Sequence, residues 1–135
     1  MIALADLEGR WRLTRRIEDF RTGQTGMLEG TCRWLPDGHG LRQEETGILH
    51  FGDAPPMQAS RVYLWRQEGA DLAVFFEDGR PFHRLSDRLS DRHLCDPDTY
   101  DVAYDVARWP DWTQSWRVTG PRKDARIVSR FQPLA

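Results

Sequence analysis

His83, His93 and Cys95 are the residues of this chain whose types and spacing come closest to a chemical site. An imidazole changes charge near neutral pH and serves as acid, base, hydrogen-bond partner or metal ligand. Alternate side chains of a strand share a face, so His93 and Cys95 point the same way if the segment is extended. That suggests a thiol nucleophile with its base. Residues two apart on a strand lie about 7 Å apart at the backbone, however. No third orienting group follows, and no helix N-terminus is at hand to lower the thiol pKa. The expectation is a buried, inert Cys95 on the interior face and no catalytic residue. Zinc needs a third protein ligand, for which only Asp91 offers itself, so no metal site is expected either. His83 and His93 remain as contacts to a polar ligand or as structural histidines.

The elements that would position these groups are strands. Turn signals recur at the spacing of an all-β domain: Thr22-Gly23, Pro36-Asp37-Gly38, Gly52 to Pro56, Glu68-Gly69, Asp78-Gly79, Asp96-Pro97, Pro110-Asp111 and Gly120-Pro121. Between them lie about ten alternating segments, 9–20, 26–35, 40–50, 58–67, 70–77, 80–86, 89–95, 99–107, 112–119 and 124–131. Residues 2–8 suit one helical turn. The whole chain, 1–135, reads as one all-β domain, an antiparallel up-and-down barrel of about 8–10 strands.

Hairpin turns set register, and register sorts faces. Two-residue turns at Glu68-Gly69 and Asp78-Gly79 put Trp65 opposite Leu72, Tyr63 opposite Val74, Val74 opposite His83 and Phe75 opposite Phe82. A three-residue turn at Asp87–Leu89 sets His83 against His93, and a four-residue loop at Asp96–Thr99 sets His93 against Val102. One face then carries Arg61, Tyr63, Trp65, His83, His93, Tyr100 and Tyr104 and should be the interior. The other presents an apolar row, Val62, Phe75, Phe82 and Leu94, which suits a homodimer contact. In the remaining strands Trp11, Leu13 and Arg15 share a face, as do Cys32 and Trp34, and Trp112, Gln114, Trp116 and Val118.

A charge turned inward needs a partner. For Arg15 and Arg61 that partner is either an anionic ligand headgroup or a carboxylate from Glu44, Glu45 or Asp91. Tyr63, Trp65, Tyr100, Tyr104 and Trp116 would line an apolar pocket or fill the barrel. The basic tip Arg122-Lys123 reads as a solvated hairpin.

Basic and acidic residues nearly balance, 19 against 21, for a net charge of −2, which argues against nucleic-acid and acidic-membrane partners. Two distant cysteines, Cys32 and Cys95, make no disulfide framework. No basic leader precedes the first strand and the longest apolar runs are about five residues, so a cytoplasmic location is expected.

Gly9-Arg10-Trp11 after a short turn resembles the opening of the calycin, or lipocalin-like, barrels. In those the Trp packs across the closed end under a basic residue of the last strand, here Arg130. The runs Phe76 to His83, His93 to Tyr100 and Gly120 to Asp124 resemble an uncharacterised family of small bacterial proteins, a domain of unknown function with a calycin-like fold. That resemblance implies a fold and no activity.

The functional expectation is a barrel that holds an aromatic or anionic small molecule through Arg15, Arg61, Tyr63, Trp65, His83, His93, Tyr100, Tyr104 and Trp116. No cofactor is identified. A tetrapyrrole held by His83 or His93 is a sub-case. The alternatives are an enzyme using His83 and His93 as an acid–base pair, and a filled barrel acting as a dimeric interaction module.

Overall fold

Alternation does become strands in the computed structural model, which describes residues 2–134. A single helical turn, α1 (Leu4–Leu7), leads into ten strands: β1 (Gly9–Asp19), β2 (Thr25–Pro36), β3 (Leu41–Phe51), β4 (Met57–Glu68), β5 (Asp71–Phe76), β6 (Pro81–Leu85), β7 (Ser90–Cys95), β8 (Asp98–Arg108), β9 (Asp111–Thr119) and β10 (Asp124–Pro133). Each boundary falls within two residues of the one read from the turns. The hydrogen-bonded order is β6-β5-β4-β3-β2-β1-β10-β9-β8-β7. All neighbours are successive in sequence except β1 and β10, and every pairing is antiparallel. The result is a nearly closed barrel.

The seam lies between β6 and β7, which sit side by side without a ladder. A side chain stitches it: the Asp91 carboxylate accepts from the Arg84 backbone N–H at 2.7 Å. His83 and His93 are therefore not register partners as the Asp87–Leu89 turn suggested. The chain instead spends that turn on Leu89, at φ 56°, whose carbonyl accepts from the Tyr104 N–H.

Two other hairpins differ from expectation by an even number of residues. Trp65 faces Val74 and Tyr63 faces Phe76 because the turn sits at Gly69-Ala70. His93 faces Tyr100 because the turn is Asp96-Pro97. A shift of two leaves every side chain on its face, so the interior set survives except toward the strand ends, where Cys95, the last residue of β7, is exposed rather than buried.

Phe82 does not follow the pattern. Val74 pairs with His83, yet Phe75 pairs with Pro81, which leaves Phe82 as an extra residue in β6. Such a bulge bends the strand and re-aims a side chain. Phe82 and His83 are consequently both buried. The expected outward row is broken at this point: Val62 and Phe75 are half-buried and Leu94 is exposed.

One end of the barrel is packed solid. Trp11, Trp34, Trp65, Trp112 and Phe131 interlock there, with Trp112 stacked on Phe131 at 4.4 Å. The Trp11 indole donates to the Leu7 carbonyl at 2.8 Å, which ties α1 across that end. Arg130 does not cover Trp11; it forms an ion pair on the outer face with Asp111. Trp11 packs instead against Trp34, Trp109 and Trp112. No helix among the described residues is long and apolar enough to cross a membrane.

Candidate functional site

The barrel's polar interior begins one layer above the tryptophans. Arg15 on β1 is buried, and its guanidinium donates to both oxygens of Glu45 at 3.0 and 2.9 Å and to Ser129 Oγ at 2.7 Å. Gln43 donates to Glu45 at 2.9 Å and accepts from the Trp65 indole at 2.7 Å. Of the two solutions open for Arg15, the carboxylate is the one realised. A buried pair with its remaining hydrogen bonds filled is self-sufficient.

A second buried chain crosses the lumen. Gln114 donates to the Tyr104 hydroxyl at 2.7 Å, and that hydroxyl lies 2.6 Å from His83 Nε2. The Tyr104 hydroxyl already accepts from Gln114, so its own proton is best given to Nε2. That places the imidazole proton on Nδ1, which has no partner. Burial pushes the His83 pKa down to about 4, with the nearby Asp91 charge opposing, so the ring is neutral at pH 7. Burial also raises the Tyr104 hydroxyl. The gap enclosed by Gln43, Tyr63, Val74, Phe82, His83, Gln114 and Trp116 admits no water-sized sphere. A tetrapyrrole on His83 does not fit there.

Toward the open end the lining becomes aromatic, with Phe82 as its hub. Phe76 stacks on Phe82 at 4.7 Å, and Tyr63, Trp116, Tyr100 and His93 surround it at 5.2–6.0 Å. Phe82 also packs edge-on against His83 at 4.5 Å, so it touches both imidazoles. The two histidines share no hydrogen bond with each other among the described residues. Sequence reading missed Phe76 and Phe82 as site residues. Pro81 was the available signal, because a proline cannot donate to a ladder and often marks a bulge or strand start.

At the rim stands Arg61. It occupies an inward register position on β4, opposite Glu45, but is exposed. Glu45 is already committed to Arg15. A concavity of about 400 Å³ opens beside Arg61, bounded by Tyr63, Phe76, Glu77, Asp78 and Arg80. Glu77 is paired with Arg42, and Asp78 with Arg80. Among the described residues, Arg61 is the one cation of this concavity that forms no ion pair. Burial raises the Tyr63 hydroxyl, and the adjacent Arg61 charge opposes that rise.

The nine expected site residues thus divide. Arg15, Trp65, His83 and Tyr104 are buried and bonded to one another's neighbours. Tyr63 and Trp116 are buried too and join that layer to Arg61, His93 and Tyr100, which are exposed or half-buried toward the open end. No group of three His, Cys, Asp or Glu among the described residues is placed to hold a metal.

A protein-family model matches residues 7–133, covering all ten strands, and describes a family of unknown function, DUF6314. The chain belongs to DUF6314. No curated protein matches it. For this DUF6314 member the family supplies a boundary that coincides with the barrel and leaves the chemistry to the residues.

Proposed function

We propose that this protein is a calycin-like binding barrel that holds a small aromatic anion at its open end rather than deep in its lumen. The observation that carries this reading is the solitary charge of Arg61 beside an aromatic wall, in a concavity whose other charges are paired. A guanidinium beside an apolar surface is a receptor for a planar carboxylate or sulfonate. Tyr63, Phe76 and Tyr100 supply the ring contacts, and half-buried His93 closes the far side. Arg15 and His83 act beneath the site by holding the lumen shut against water.

The probe for this is 8-anilinonaphthalene-1-sulfonate, an aromatic anion whose fluorescence rises on desolvation. Wild-type protein should give a saturable rise, and Arg61→Gln should weaken it about tenfold, the loss of one charge-assisted contact. Equal affinity in the two proteins would remove the reading.

A further inference from the structure

A larger hollow than the one beside Arg61 lies elsewhere, on the outer face of β7, β8, β9 and β10, with a volume of about 620 Å³. Ladder register explains why it is a hollow. Ser90, Ala103 and Ser115 stand side by side across three strands, so the floor consists of small side chains. The adjacent row reads Arg92, Asp101, Arg117, Arg126 across all four strands. Arg88, on the turn entering β7, closes the opposite side.

The charges here do not balance. Arg92 is neutralised by Asp101 and Arg117 by Asp124. Asp91, the remaining acid of the lining, accepts the Arg84 and Arg92 backbone N–H groups. Arg88 and Arg126 form no ion pair among the described residues, and both are exposed. Two unpaired guanidiniums therefore bracket a floor that carries two serine hydroxyls. Three strand spacings separate β7 from β10, roughly 14 Å.

We infer that this groove is an anion site for a small molecule with two linked phosphoryl groups, one toward each of Arg88 and Arg126, with Ser90 and Ser115, two strands apart, each donating to one end. Guanidinium forks match phosphoryl oxygens, and hydroxyls add neutral donors. Phe20, an exposed ring at the edge of this face, is already covered by the Arg117 guanidinium at 4.9 Å. The groove lining itself has no exposed aromatic side chain among the described residues, so the ligand class is a diphosphate rather than a nucleic acid. This site is separate from Arg61 and does not depend on the reading of the open end.

Titration calorimetry of the full chain with inorganic pyrophosphate tests it. Saturable binding should weaken about tenfold in Arg88→Ala and in Arg126→Ala. Both arginines are exposed, so these variants should retain the wild-type circular dichroism. Movement of the Ser115 amide resonance on titration gives a second readout. Absence of binding, or binding indifferent to both groove variants, overturns the site. Loss in Arg61→Gln alone overturns it too, since the anion would then sit at the barrel mouth.

Discussion

The Tyr104 hydroxyl sits 2.6 Å from His83 Nε2, deep in the barrel, and accepts from Gln114 on its other side. This bond needs a neutral imidazole. Protonating His83 would put a donor on Nε2, strand the Tyr104 proton and leave a charge without a carboxylate in direct contact.

Stability should therefore depend on pH through His83. Its folded pKa is depressed to about 4 from an ordinary 6.5, chiefly by burial. The unfolded chain takes up the proton first as pH falls. The contribution is complete above about pH 6.5, is lost between there and about pH 4, and changes no further below. The span corresponds to about 3 kcal/mol. Urea unfolding across this range should show the slope in wild type. His83→Gln, which keeps a polar group for Tyr104 without titrating, should flatten it.

Phe82 and Leu94 were expected on one outward face, and they should behave oppositely. Phe82→Ala empties the hub of the aromatic cluster and should cost about 3–5 kcal/mol. Leu94 is 71% exposed, so Leu94→Asp should stay within about 0.5 kcal/mol. Thermal and urea melts of both variants decide between the bulged register and an uninterrupted ladder, which would reverse the order.

The Arg15–Glu45 pair predicts strong non-additivity. Arg15→Met or Glu45→Met alone leaves an uncompensated buried charge and should cost about 3–5 kcal/mol. The double variant removes both charges and should recover most of that loss. A double-mutant cycle with additive costs would show that the two groups do not share the interior.

Much of this was legible in the chain. Alternation assigns each residue to a face, and Gly, Pro and Asp mark the turns. The interior set from Trp11 through Val118 was therefore readable even where a turn sat one residue away, because a pairing shift of two returns every side chain to its own side. Arg15 and Gln114 were placed inside on that basis alone.

Three things needed the tertiary structure. The Phe82 bulge exchanges faces within a single strand, and periodicity carries no record of one extra residue. The partner of Arg15 was open between an anionic ligand and three acids, because β1 and β3 are separated by β2 and their side chains meet only across the closed lumen. The isolation of Arg61 and of the Arg88–Arg126 groove depends on which carboxylates other arginines have already taken. Sequence determines the faces because the strand period is local. Partners are decided by closure, which brings distant strands to one interior and one surface.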